Sequence, residues 1–183
     1  MTQPPGPIAR WGTARGRQRA ERDEEFTAFV GSSAPRLRRV AYLMCGDWHL
    51  AQDLTQTTFA RMYASWPRIW RTANIEAYSR RVLVNALFDQ RKRHSSTELV
   101  LAELPESLAP GAGASAELHV TLMAALATLP VRDQAIVVLR YWEDQSVEAV
   151  AEILEVSPSV VKTQSARALT RLRALLGEEF AHS

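Results

Sequence analysis

The chain has 183 residues, 46% of them hydrophobic and 23% charged, with a formal net charge of +2. That is ordinary globular composition, with enough apolar material for one core or two small ones. It excludes a membrane span, since no apolar run reaches the roughly 18 residues required, and a single cysteine, Cys45, excludes an internal disulfide or a cysteine-rich zinc site. Cys45 is expected as a small core residue, and the absence of an apolar signal-peptide core fits a cytoplasmic chain.

Residues 1–22 are rich in Pro, Gly and Arg without an apolar period, and read as a disordered basic arm with five Arg against one Glu. A periodic region over 23–94 follows. Helices are expected at Glu24–Val30 and Pro35–Cys45, then a Gly46-Asp47 break in which Asp47 caps the next helix. That helix runs from Trp48 to Trp66 and is expected to stop at Pro67. A loop, Pro67–Asn74, leads to a long helix over Ile75–Arg93. Residues 95–116 read as an acidic, flexible linker, for "LPESLAPGAGASAE" is dense in Pro, Gly, Ala and Ser. A second periodic region, 117–176, predicts helices at Glu117–Leu129, Val131–Trp142, Val147–Leu154 and Pro158–Leu176, with a tail at 177–183. Neither half alternates as strands do, so the fold class is all-α, in two small domains.

Charge is unevenly spread. Residues 74–94 carry Arg80, Arg81, Arg91, Lys92 and Arg93 against Glu76 and Asp89, and residues 157–176 carry Lys162, Arg167, Arg171 and Arg173 with no acid. Either patch alone would pass as a solvated helix face. Two of them, separated by an acidic connector, suit two contacts with a polyanion.

"SVEAVAEILEVSPSVVKTQSARALTRLRALL" has the layout of a helix-turn-helix. Ser146 caps the first helix, which turns Val147, Val150, Ala151 and Leu154 inward. Ser157 caps the second, with Pro158 at its first position. Val161, Ser165, Ala168, Leu172 and Leu175 form the second helix's inward stripe. Ser159, Lys162, Thr163, Ala166, Arg167 and Thr170 project outward. Cations bind phosphate and short polar groups permit close approach to base edges, so this face suits a major groove. Glu155 stands in the turn, where a positive φ usually selects Gly. An ordinary helical hairpin can share this capping pattern; the basic second helix favours DNA.

In "AQDLTQTTFARMYASW" the residues Leu50, Ala51, Leu54, Thr58, Phe59, Met62 and Trp66 fall on one arc at 100° per residue. His49, Asp53, Gln56 and Ala60 lie opposite. A solvated face would be richer in Lys and Glu, whereas this shorter-chained one also suits cover by another protein; both readings fit the pattern. On the helix after it, Ile75, Tyr78, Val82 and Ala86 are expected inside. Arg81, Val84, Asn85, Phe88, Arg91 and Lys92 share the other side, materials for gripping a phosphate backbone beside bases. Trp66 stands just before the 67–74 loop and Trp70 within it, beside Arg68 and Arg71. Trp66 belongs to the buried arc, while Trp70 is either a loop anchor or a platform for an unpaired base. His49, His94, His119 and His182 are scattered, and no nucleophile–base pair or metal set is visible. A non-enzyme without cofactor or metal is expected.

These segments resemble the extracytoplasmic-function group of bacterial RNA polymerase sigma factors, within the sigma-70 family. "HLAQDLTQTTFARMYASW" is similar to that group's "AEDLVQETFLRAW" segment, "AYSRRVLVNALFDQRKR" to its promoter-melting and −10-reading helix. "LATLPVRDQAIVVLRYWEDQSVEAVAEILEVSPSVVKTQSARALTRLRALL" is similar to its σ4 domain. The Trp-rich "SWPRIWR" and the closing "KTQSARALTRLR" are most similar to the actinobacterial envelope-stress branch. The resemblance implies a σ2 domain at 23–94 and a σ4 domain at 117–176. It implies that Asp53, Leu54 and Gln56 dock on the β′ clamp helices of core RNA polymerase, with σ4 meeting the β flap. Arg81, Asn85, Asp89, Arg91 and Trp70 would meet the −10 element, with a flipped base held by the 67–74 loop. Ser159, Lys162, Thr163, Arg167 and Arg171 would read the −35 element. An anti-sigma factor is an expected further partner. The chain departs from the family pattern at Gln52 and Thr57, where acids are usual, and at Glu155 and Ser159-Val160, where the turn Gly and a Gly-Thr pair are usual. Two readings outside the resemblance are a stand-alone helix-turn-helix regulator acting on duplex DNA, and an interaction protein without DNA dependence.

Overall fold

The computed structural model describes residues 7–71, 74–95 and 114–180, with side-chain surroundings for 14–71, 74–93 and 117–177. Among the described residues every regular element is helical. The chain runs α1 (Pro7–Cys45), α2 (Trp48–Ile69), α3 (Ile75–Ser95), α4 (Ala114–Ala127), α5 (Val131–Val137), a π-helical turn (Val138–Trp142), α6 (Val147–Leu154) and α7 (Pro158–Phe180). None of the described helices is long and apolar enough to cross a membrane. The linker expected at 95–116 lies mostly outside the described residues.

Three expectations are corrected. The arm at 1–22 is helical from Pro7 onward, not disordered. Its helix is anchored from within: the Trp66 indole donates to the Arg22 carbonyl at 2.8 Å, and Phe26 packs against Phe59, Tyr63 and Trp66. Residues 14–21 are exposed, so they continue a helix nucleated by those contacts, and extending a helix is far cheaper than starting one. Second, α1 passes through Pro35 without a break. An internal Pro costs roughly 3 kcal/mol, but Phe26 and Phe29 are packed before it and Leu37, Val40, Ala41 and Met44 after it, so tertiary contacts on both sides outweigh local propensity. Third, α2 continues past Pro67 to Ile69 and α7 through the expected tail to Phe180. Ile69 and Trp70 pack on the Trp66 cluster and hold the extra turn of α2 in place.

Where local signals were strong they were obeyed. Gly46 ends α1 at φ +74, donating to the Tyr42 carbonyl at 2.8 Å, and Asp47 caps α2 by accepting from Leu50 N–H at 2.9 Å. Asn74 does the same for α3, accepting from Ala77 N–H at 3.0 Å.

The core has two parts. A small aromatic-rich cluster gathers Met62, Trp66 and Val82 with Phe26, Phe29, Phe59 and Tyr78 among α1, α2 and α3. The larger cluster is shared between the halves. It joins Leu37, Val40, Met44, Leu54, Leu83 and Leu87 of the first to Leu126, Ile136, Leu139, Val150, Leu154 and Val161 of the second. Polar contacts follow the same seam, the buried Gln134 amide donating to the Leu43 carbonyl at 2.8 Å and His119 stacking on Tyr42 at 6.0 Å.

Candidate nucleic-acid interface

The second half builds its outer face from a tight corner. Ser146 accepts from Ala149 N–H at 3.0 Å to start α6. Glu155 ends α6 in the left-handed region, φ 55 and ψ 45, with its N–H returned to the Ala151 carbonyl. The turn therefore has the conformation that usually selects Gly, carried by a residue with a Cβ. Ser157 then receives Val160 N–H at 3.4 Å, opening α7. Val161, Ser165, Ala168 and Leu172 are buried against α5 and α6, and Ser165 satisfies its hydroxyl on the Val161 carbonyl at 2.6 Å. With that stripe inside, Ser159, Lys162, Thr163, Arg167 and Arg171 all emerge on one exposed surface, joined by Ala166 and Thr170. None of the three cations there has an ion pair among the described residues, so the face is free to take phosphate.

α3 is different because it is packed on two sides. Val82 faces the aromatic cluster while Leu83, Ala86 and Leu87 enter the larger core. Val84 and Phe88, expected on the nucleic-acid side, are instead covered by the second half: Val84 is 1% exposed and Phe88 packs on the shared core. Arg81, Asn85 and Arg91 remain exposed. Asp89 is half-exposed and pairs with Arg61 of α2 at 3.0 Å. Trp70 caps α2, half-buried, with the Arg71 guanidinium 4.4 Å over its ring, whereas Trp66 lies in the core as expected.

On α2, Ala51, Leu54, Thr55, Thr58, Met62 and Trp66 are buried, and His49, Gln52, Asp53, Gln56, Thr57 and Ala60 are exposed. Asp53 and Gln56 thus stand together on the outward surface, one turn apart. Leu54 does not join them. At 4% exposure it packs in the core, so its contribution to any partner is to fix α2, a correction to its expected docking role.

Sequence reasoning missed a cluster on the seam between the halves. Glu143 directs its carboxylate to Arg36 Nη1 at 2.7 Å and Arg80 Nε at 2.8 Å, and Arg81 pairs with Glu155. The partners are 63 to 107 residues apart, so no local pattern could have announced them. Cys45 is largely buried, which pushes its thiol up to about 11, and it donates to the Asp47 carbonyl at 3.1 Å. Among the described residues no three His, Cys, Asp or Glu side chains gather as metal ligands would.

The geometry defines a class: an all-helical, DNA-reading factor with a helix-turn-helix on one half and a basic helix beside a tryptophan turn on the other. Known families agree. The model for sigma-70 region 2 matches residues 29–97 and that for sigma-70 region 4 matches residues 119–172. The RNA polymerase sigma-E factor of Streptomyces coelicolor is 36% identical over 149 residues, covering 81% of this chain and 84% of that protein. Among solved structures, the sigma factor RpoE of Bartonella quintana, in complex with the anti-sigma factor NepR, superposes with a TM-score of 0.72 at 25% identity, over 84% of this chain and 98% of that one. CnrH, solved with the cytosolic domain of CnrY, shares the fold at a TM-score of 0.63 and 22% identity, over 93% and 96% of the two chains. The chain belongs to the sigma-70 family of RNA polymerase sigma factors, in its extracytoplasmic-function group. It is an alternative sigma factor and directs transcription initiation.

Proposed function

We propose that the Asp53/Gln56 face of α2 docks on the β′ clamp helices of core RNA polymerase, that α3 and the turn at Trp70 engage the −10 element, and that α7 reads the −35 element while its half meets the β flap. The protein would work in the cytoplasm as a targeting factor, without catalysis of its own. The observation that carries this reading is the exposure of Ser159, Lys162, Thr163, Arg167 and Arg171 on one face of α7, with the rest of that helix packed away. Arg91 and the Glu155-paired Arg81, with the Asn85 amide between them, supply the second polar and basic surface, and Trp70 would take an unpaired base where the Arg71 guanidinium now covers its ring. The Asp53 carboxylate and the Gln56 amide, exposed without an ion pair among the described residues, support protein contact at α2.

Energetics favour a tethered mechanism. Two small basic surfaces free in solution give only salt-sensitive binding, of order 10⁻⁴ to 10⁻⁶ M when non-specific. Held on one large enzyme, each surface acts at high effective concentration on its own element. An anti-sigma factor is proposed as a further partner, by likeness to the RpoE structure solved with NepR. The test is Asp53→Arg. This variant should lose co-purification with core polymerase while its helical circular dichroism stays unchanged; full retention of core binding would sink the docking assignment.

A further inference from the structure

α1 and α2 run antiparallel from the Gly46 corner, so the start of α1 lies beside the end of α2. Arg22 stands level with Trp66, whose indole donates to its carbonyl, and Phe26 fills the next turn against Tyr63 and Phe59. Three residues beyond Trp66, α2 ends at Ile69, while α1 continues outward. At a rise of 1.5 Å per residue, Arg19 comes level with Ile69 and Arg15 overhangs it by about 6 Å. At 100° per residue Arg15, Arg19 and Arg22 share the face that Phe26 turns toward α2. They therefore hang over the turn at Trp70 and Arg71, whereas Arg17 points away. Arg19 and Arg22 line a groove of about 310 Å³ with Asp23, Tyr63, Trp66 and Pro67. Arg68 and Arg71, both exposed, stand at the same end of the molecule.

This stripe works against the helix that displays it. Residues 15–22 carry four Arg against one acid, Glu21. Arg15, Arg19 and Arg22 recur at i, i+4 and i+7, the spacing at which like charges repel on a helix, and Gly16 weakens the same turn. Glu21 and Glu24 fall on the far side and Glu25 only at the edge. The one answering carboxylate is Asp23, 3.9 Å from Arg19 with both side chains exposed, and it also accepts from the Tyr63 hydroxyl at 3.2 Å. A pair that long and that wet contributes little. A merely solvated face would interleave acids at these positions. Held helical by Trp66 and Phe26, the arm instead presents a cationic row short of counter-charge, which a polyanion supplies.

Resting on the reading that Trp70 takes an unpaired base, we propose that Arg15, Arg19 and Arg22 of the α1 arm grip the phosphate backbone of the single strand to which that base belongs. The parts are those of a single-strand site: a flat ring for a base, and beside it a basic groove that tracks the backbone. Arg68, and the Arg71 that now lies 4.4 Å over the Trp70 ring, continue the groove from α2. Guanidiniums suit the task, since each offers two-pronged N–H donation to phosphate oxygens. A groove this narrow admits the backbone of one strand, while a duplex meets only its rim. Because residues 14–21 are exposed, the grip is available in the free chain. The arm adds a hold that is independent of base sequence.

The experiment uses the full chain and a labelled oligothymidine of about 12 nucleotides, within the span of one small single-strand site. Fluorescence anisotropy follows binding across a salt series. Arg15→Gln/Arg19→Gln should weaken binding about tenfold and lower the salt slope by about 1.4, two contacts at about 0.7 each. Gln matches Arg in helix propensity, so the helical circular dichroism should not change. Arg39→Gln/Arg132→Gln removes the same charge from two exposed positions elsewhere, one on α1 beyond Pro35 and one on α5, and should leave the slope unchanged. Gln18→Arg, which adds a cation at the edge of the stripe, should tighten binding about threefold. A loss in the arm variant no larger than in the control overturns the proposal, because overall charge then accounts for it. An equal fold-loss on the matching thymidine–adenosine duplex overturns the assignment to a single strand. Trp70→Ala separates this proposal from the reading beneath it. If that variant binds the oligothymidine as the wild type does, the Trp70 assignment fails, while the arm is still decided by its own salt slope.

Discussion

α3 and α7 are the two basic helices of this molecule, and they dispose of their charge in opposite ways. α7 is packed along one stripe, Val161, Ser165, Ala168 and Leu172, and its cations stand free. α3 is packed along two, so Val84 and Arg80 are buried and Arg81 is already paired. A helix buried on one side advertises its function by amphipathic pattern alone. A helix buried on two sides retains only a strip, and which residues lie on that strip depends on a partner surface far away in the chain.

The largest test of this contrast is mechanical. Leu83 of α3 is fully buried between both halves, whereas Leu172 of α7 sits nearer the edge of the shared core at 6% exposure. Leu83→Ala is expected to cost about 4 kcal/mol and Leu172→Ala about 2–3 kcal/mol, since the penalty scales with the cavity the surroundings cannot close. Urea titration of both variants measures it. A larger loss at Leu172 would mean that α3 is not the doubly packed element.

Next in size is the function of the free face. Arg167→Ala should weaken use of promoters that carry an upstream element by about 1–3 kcal/mol if the side chain reads a base edge, and lower the salt slope by about one if it contacts phosphate. Run-off transcription at several salt concentrations, on templates with and without the −35 element, separates the two cases. Core binding should not change. Equal loss on both templates would remove Arg167 from −35 recognition.

The same contrast explains how much was legible in the sequence. The caps at Asp47, Ser146 and Ser157, the inward stripe of α7 and the exposed Asp53/Gln56 pair all follow from spacing within one helix, and each is found in place. The left-handed turn at Glu155 was visible as a departure in residue type, though not its ion pair with Arg81. What was hidden is non-local. Trp66 holds the Arg22 carbonyl from 44 residues away and so keeps the basic arm helical; Val84 is covered by a half that begins beyond the linker. Leu54 enters the docking set through the family resemblance alone; the 100° spacing puts it on the inward arc opposite Asp53 and Gln56, and its 4% exposure agrees with that arc.

The smallest expected effect is invisible at neutral pH and concerns the first half's own end of the shared core. Cys45 closes α1 where burial disfavours the thiolate, raising its pKa from an ordinary 9.0 to about 11. The folded state therefore holds the proton more tightly than the unfolded chain. Its contribution to stability is fully present below about pH 9 and is lost as pH rises through about 11, because the unfolded thiol ionises first. Thermal unfolding between pH 8 and 11 should show this decline in the wild type, and Cys45→Ala should flatten the part of the curve due to the thiol. The native thiol should also alkylate about a hundredfold more slowly than the unfolded one near pH 8, in proportion to its thiolate fraction. Rapid alkylation of the native chain would place Cys45 in water, and the end of α1 with it. The packing that buries Val84 and Arg80 would then be looser on the α1 side than α3's double burial requires.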